Sequence, residues 1–210
     1  MKQEKKQALT EFHRRSILEA AEKLFLAQGQ EATSIDDIAK ASGYSKATLY
    51  VYFKSKADIW NNILLSSIRA LQVCLDKAIM TEVGTIARYY AVCHALLKFS
   101  EDYPLYFEGI LSKLPYEDDE ELAQLHEARE GIDRVIGLLI MQGIEEGVTR
   151  PDVKIPHVGI YMWSAVTGMI RVITQKDESL VNLLGVEKSE LFQYGIETLF
   201  QSISVRESEK

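Results

Sequence analysis

Residues 34–53 read Ser34-Ile35-Asp36-Asp37-Ile38-Ala39-Lys40-Ala41-Ser42-Gly43-Tyr44-Ser45-Lys46-Ala47-Thr48-Leu49-Tyr50-Val51-Tyr52-Phe53. Two short segments of helical character flank one glycine. Ser34 is placed to cap the first segment, and Asp37, three residues on, adds negative charge at its start. Ile35 and Ile38 face inward, and Ala39 is small where a second helix would cross. Gly43 falls where a positive φ is easiest for glycine. Ser45 can cap the second segment, whose inward face is Leu49 and Phe53. Two short helices, a glycine turn and a small crossing residue are what a helix-turn-helix requires. The spacing alone also suits an ordinary helical hairpin, so the surroundings must decide.

In a helix-turn-helix the second helix enters the major groove, its first residues reaching base edges. Lys46, Ala47, Thr48 and Tyr50 would be presented there. Lys46 can donate to guanine, and Thr48 can meet a base or the thymine methyl. Tyr50, Tyr52 and Lys56 read as phosphate contacts, which position rather than specify. Ser55 caps the following helix, whose first amides could also hold a phosphate.

Helical periodicity continues in both directions. Residues 11–28 carry Ile17, Ala20, Ala21, Leu24 and Phe25 on one stripe, with Gly29 as a stop. Further helices are expected at about 57–80, at 85–100, after Pro104, from the acidic block Asp118-Asp119-Glu120-Glu121 to about 146, at 156–174 and at 189–204. The 156–174 helix is apolar on most sides and must be covered on more than one. A polar connection with Leu183-Leu184 at its centre precedes the last helix. No stretch alternates with the period of a strand. Only the polar ends, 1–9 and 206–210, read as frayed.

Composition bounds the rest. The chain has 210 residues, 47% of them hydrophobic and 26% charged, which suits a globular protein. No apolar stretch approaches the roughly 20 residues of a membrane span. The charged first residues lack the apolar run of a secretory signal. Cys74 and Cys93 are the only cysteines, too few for a disulfide framework or a four-cysteine zinc site. These features point to a cytoplasmic protein. The net charge of -7 conceals an asymmetry. Residues 1–60 hold 10 Lys+Arg against 8 Asp+Glu, a net of +2, while the remainder carries -9. A DNA-facing head on an acidic body is one origin of such a split.

The run from Ile17-Leu18-Glu19-Ala20-Ala21 through Leu24-Phe25, Gly29, Thr33, Ile38-Ala39, Ala41-Ser42-Gly43, Ser45, Thr48-Leu49-Tyr50, Tyr52-Phe53 and Ser55-Lys56 resembles the TetR family of bacterial transcriptional regulators. The likeness covers about residues 11–60. Beyond them the chain is similar only in architecture. The resemblance implies an all-α fold of about nine helices. A three-helix DNA-binding domain (1–56) would precede a helical ligand-binding and dimerisation domain (57–210). It implies DNA contacts near Thr33, Ser45, Lys46, Thr48, Tyr50, Tyr52 and Lys56. With Ser34 and Ala47 these make up the DNA-facing set. Tyr44 stands where the family usually has a smaller aliphatic residue, and Ala47 where glycine is common.

A single short recognition helix reads few base pairs, so a two-fold dimer on a palindromic double-stranded operator is expected. The helices at 156–174 and 189–204 are the natural interface, with Gly159, Gly168 and Gly195 permitting close crossing. The alternative is that both simply belong to the monomer's core. Tyr89, Tyr90, Cys93, His94, Tyr103, Tyr106, Phe107, Met141 and Trp163 are candidates to line a pocket for a small apolar or aromatic effector. An aromatic stripe at helical spacing is also what a plain core looks like, and His94 reads as a hydrogen-bonded core histidine. Effector binding would change the spacing of the paired recognition helices and release the operator.

No catalytic residues, cofactor or metal are expected. The four histidines are scattered, and no phosphate-binding glycine loop is present. His126 and Glu130 could share a surface metal, but an exposed helix face accounts for them. A regulator on the same fold that answers to no effector is the main alternative, and a helical enzyme a remote one.

Overall fold

The computed structural model describes residues 2–112, 120–174 and 185–205. Among them are nine helices: α1 (Lys2–Gln28), α2 (Ile35–Ser42), α3 (Lys46–Tyr52), α4 (Lys56–Thr81), α5 (Thr85–Asp102), α6 (Pro104–Leu111), α7 (Glu120–Glu145), α8 (Ile155–Thr174) and α9 (Lys188–Ile203). The described residues contain no strand, only one isolated bridge between Thr149 and Ser204. The all-α expectation is met. Asp118-Asp119 and Leu183-Leu184 lie outside the described residues.

The first helix departs from expectation. It begins at Lys2, whereas apolar periodicity starts it near residue 11 and leaves residues 1–9 frayed. The extra turns are rich in Lys, Gln and Glu, which are good helix formers. Adding turns to a helix already nucleated costs little.

The chain forms two compact units, Met1–Ile68 with Leu105–His126, and Arg69–Pro104 with Glu127–Lys210. In the first, Ile17, Ala21 and Phe25 of α1 are buried with Ile38 and Ala39 of α2, Leu49 of α3, Phe53, and Ile59 and Ile63 of α4. The inward residues read from the periodicity are therefore the core. Leu105 and Tyr106 of α6 pack against the same cluster. Gly109 lets α6 come close, since a Cβ there would lie 3.3 Å from the Trp60 ring. The Tyr106 hydroxyl donates to Glu22 Oε1 of α1 at 2.8 Å.

In the second unit, α8 buries Met162, Val166, Ile170 and Ile173, and α9 buries Phe192, Ile196, Leu199 and Phe200. Gly195 seats α9 on α8: a Cβ there would lie 2.1 Å from Met169 Sδ. Gly159 meets Ile136 at 3.6 Å by the same measure. Of the three glycines expected to permit close crossing, Gly168 alone faces open space. Gly147, at φ 69°, ends α7. The chain then pairs briefly with the end of α9, as Arg150 N donates to Ile203 O at 2.9 Å and Val205 N to Val148 O at 3.1 Å.

Glu22 offers a pH-dependent check on the α1–α6 contact. Burial raises its carboxyl above the ordinary value of 4.5, Tyr106 lowers it, and Glu19 adds repulsion. Folding thus favours the protonated acid. That contribution is fully present below about 4.5 and is lost as pH rises through the raised value. Glu22→Gln keeps an acceptor for Tyr106 and removes the half-buried charge. Its melting temperature should exceed the parent's at pH 7, and the gap should close as pH falls toward 4.5. Circular-dichroism melts across that range measure it.

Candidate nucleic-acid interface and effector cavity

The turn between α2 and α3 is built from its caps. Ser34 Oγ accepts from Asp37 N at 3.1 Å, and Asp37 Oδ2 accepts from Ser34 N at 2.9 Å, a reciprocal capping box. The Ser34 hydroxyl also donates to that carboxylate, and together these bonds hold Asp37 below the usual carboxylate range. Gly43 ends α2 at φ 75°. The amides of Gly43 and Tyr44 return to the carbonyls of Lys40 and Ala39, a left-handed helix stop. Ser45 Oγ then accepts from Thr48 N at 3.1 Å and lies 2.8 Å from Thr48 Oγ1.

Capping and packing together fix which side of α3 faces out. Leu49 is buried, while Ser45, Lys46, Ala47, Tyr50 and Val51 are exposed. Val51, 76% exposed, was not among the expected contacts. The Lys46 ammonium donates to Asp36 Oδ2 at 3.0 Å, and both side chains are more than half exposed. That hydrogen bond raises the Lys46 ammonium's affinity for its proton. An ion pair this exposed is weak, so Lys46 can exchange Asp36 for another acceptor.

Two residues of α1 brace the α3 segment. Tyr44 Oη lies 2.7 Å from His13 Nδ1, and the rings meet edge to face. Tyr52 lies against the same His13 ring at 5.7 Å. The larger residue at position 44 is thus accommodated by α1. Arg14 donates to Tyr52 O at 2.5 Å and to Asn62 Oδ1 at 2.8 Å, with its guanidinium over the Phe53 ring. Neither His13 nor Arg14 was singled out from the sequence. The adjacent Arg14-Arg15 pair on an otherwise apolar-striped helix was the available signal.

Several expected contacts have internal work. Thr33 is 1% exposed and its hydroxyl donates to Gly29 O at 2.8 Å, so it presents no accessible side chain. Lys56 donates to the carbonyls of Gln30 (2.8 Å), Glu31 (3.3 Å) and Thr33 (2.8 Å), stapling the α1–α2 turn. The start of α4 is capped from within: Asp58 N donates to Ser55 Oγ at 3.1 Å, and Lys54 N to Asp58 Oδ2 at 2.7 Å. Of the first amides of α4, that of Asp58 is thereby occupied.

The second unit holds an apolar cavity of about 50 Å³ among α5, α7, α8 and α9. Tyr89, Cys93 and Trp163 line it as expected. Tyr90 instead stacks beside Tyr89 and Phe200 outside the lining. His94 is exposed, resting on Phe192 at 5.7 Å, and is not a core histidine. Tyr103 and Met141 are 51% and 45% exposed and do not line the cavity. Tyr106 and Phe107 belong to the first unit. Periodicity identified the inward-facing helix sides but not which unit each would enter. Thr85 and Thr149, which also line the cavity, were missed because single threonines carry no periodic signal. Among the described residues, no three His, Cys, Asp or Glu side chains gather as a metal site would need.

Comparison with known proteins places these features. A family model described as "Bacterial regulatory proteins, tetR family" matches residues 17–63. The chain is 25% identical over 140 residues to the HTH-type transcriptional regulator YhgD of Bacillus subtilis (strain 168), covering 66% of this chain and 70% of that protein. It is 23% identical over 177 residues to YfiR of the same organism, covering 82% and 85%. The crystal structure of the TetR family transcriptional regulator PfmR from Thermus thermophilus superposes with a TM-score of 0.69 at 26% identity, covering 88% of this chain and 97% of that one.

The Lys56 staple makes a distinction that DNA titrations can read. Lys56→Met should lower stability by about 1–3 kcal/mol, from lost charge-assisted hydrogen bonds. It should leave the salt dependence of DNA binding unchanged. Urea denaturation and a salt titration check both. A slope flattened by about one would place the ammonium on a phosphate instead.

Proposed function

The chain belongs to the TetR family and is a DNA-binding transcriptional regulator, and from that premise we propose that it is a repressor released from its operator by a small molecule. The observation that carries the DNA half of this reading is the exposed face of α3. Ser45, Lys46, Ala47 and Tyr50 stand outward from a helix whose other side is anchored in the core. Lys46 reads a base edge, with Ala47 and Thr48 beside it, while Tyr50 and Tyr52 meet phosphates. Ser34, Thr33 and Lys56 hold the frame rather than the duplex.

Two copies act together on a palindromic operator. Exposed Ile160, Tyr161 and Val172 on α8, with Tyr194 on α9, supply apolar surface for a two-fold contact. The open side of Gly168 gives a partner helix room to approach. The protein acts in the cytoplasm, where its operator lies, and no helix among the described residues is long and apolar enough to cross a membrane.

The apolar cavity of the second unit supports control by an apolar effector. It is far below the roughly 300 Å³ of a usual ligand site. An effector must therefore part its walls, and so favours one arrangement of the unit over another. Unequal affinity for two states is the condition for shifting their populations.

Two substitutions test the reading of α3 on an operator recovered by in vitro selection. Lys46→Ala should cost about 1–3 kcal/mol on the operator and less on random duplex. Asp36→Asn frees Lys46 and removes a negative charge, so it should tighten binding to both duplexes. Fluorescence anisotropy at fixed salt measures these affinities. Equal losses on the two duplexes for Lys46→Ala would refute base reading.

A further inference from the structure

The cavity of the second unit contains two buried hydroxyls that the fold leaves unanswered. Thr149 is 1% exposed and Thr85 is 2% exposed, and neither Oγ1 has a hydrogen-bond partner. Both residues line the cavity. Their backbones are fixed: Thr149 N donates to Gly143 O at 2.9 Å, and Thr85 N to Glu146 Oε2 at 2.8 Å. The two side chains converge over Gly143. A Cβ at that position would lie 2.3 Å from Thr149 Oγ1 and 3.0 Å from Thr85 Cγ2, so only glycine leaves the niche open. The Thr85 amide holds the Glu146 carboxylate below its usual range. A buried hydroxyl without a partner is unfavourable, and such groups call for an explanation.

The rest of the lining carries no charge. It is mostly hydrocarbon and aromatic, with Val92, Leu96, Ile140 and Val166 on the helices around it. The Tyr89 hydroxyl is already committed to Ile196 O at 2.8 Å. Burial raises that hydroxyl and pushes the Cys93 thiol up to about 12, so both stay neutral. Arg150, next in the chain to Thr149, is not part of the lining; its Nε is buried without a hydrogen-bond partner, with Asp152 Oδ1 at 3.8 Å. An ionised head group would meet no charged side chain in the lining, at a large desolvation cost. A neutral hydroxyl or carbonyl would instead satisfy Thr149.

We propose that this cavity takes a slim, uncharged, mainly hydrocarbon molecule ending in one hydroxyl or carbonyl, held at that end by Thr149 with Thr85 beside it. The inference rests on the effector-released reading above and specifies the chemistry of its ligand. The apolar lining selects a hydrocarbon body, and the threonine pair selects the head. Carboxylates and ammonium ions of the same length are excluded.

Octan-1-ol, octanoate and octylammonium differ only at the head and serve as probes. Each is titrated into the full-length protein at pH 7 without DNA, by calorimetry and by tryptophan emission, since Trp163 lines the cavity. Octan-1-ol should bind at least about tenfold more tightly than either ion, the ratio expected of about one hydrogen-bonding mismatch. Thr149→Val keeps the shape and removes the hydroxyl, so it should weaken octan-1-ol by about tenfold. Thr149→Ser should restore most of that affinity. Because the hydroxyl has no internal partner, Thr149→Val should not lower the melting temperature. Octanoate binding as tightly as the alcohol, no loss in Thr149→Val, or a lowered melting temperature in that variant would each overturn the proposal. Operator release is then measured separately. Octan-1-ol that binds as stated but leaves the operator occupied would sink effector control while the site stands. An unrelated compound that frees the operator while octan-1-ol fails to bind would sink the site alone.

Discussion

A seven-residue helix does not hold itself in water, so α3 exists because Leu49 is buried. Its partners are Ile17, Ala21 and Phe25 from α1, Ile38 from α2 and Ile59 from α4. That contact decides which residues are left outward, and hence what a duplex can meet. The capping bonds at Ser34, Gly43 and Ser45 determine where the helix starts and at what angle it leaves α2. His13 and Arg14 then hold the two ends of the segment against α1. Removing the core contact would cost more than any surface ion pair near it, because burial of a leucine outweighs an exposed salt bridge severalfold.

Charge is handled differently in the two units. In the first, ionic groups are numerous and satisfied locally: Lys56 by three carbonyls, Arg14 by a carbonyl and an amide, Asp58 by Lys54 N and Asn62. Lys46 rests on a weak and exposed partner. In the second unit the buried polar groups that line the cavity are hydroxyls and a thiol, while the Arg150 Nε is buried outside that lining. The overall acidity therefore says little about the surfaces that act. A chain of net charge -7 can present a DNA-reading helix whose only ionic group in its first turn is a lysine.

The helix-turn-helix was legible because its determinants are local. Ser34 with Asp37, Gly43 and Ser45 sit at fixed offsets, and each performs the capping or turn role that its chemistry suggests. Core positions followed from periodicity for the same reason. The long α1 was missed at its start because a polar helix has no stripe to read. The internal bonds of Lys56 and Thr33 gave no sign in the sequence, because a lysine beside a turn looks the same whether it faces a phosphate or a carbonyl. Two thirds of the cavity's expected lining went elsewhere. Tyr106 and Phe107 lie on a helix whose apolar side enters the other unit, a fact of tertiary arrangement that spacing cannot carry. Thr149 drew no notice, since its importance arises only from Gly143 standing opposite.

The central claim is that two copies of α3 read bases from the major groove. Methylation interference at guanine N7 on the selected operator tests it directly, because that atom is reached only from the major groove. The account predicts two clusters of interfering guanines, one per half-site, related by two-fold symmetry and separated by about one helical turn or more. A single cluster, or full binding to operator methylated throughout, would contradict it.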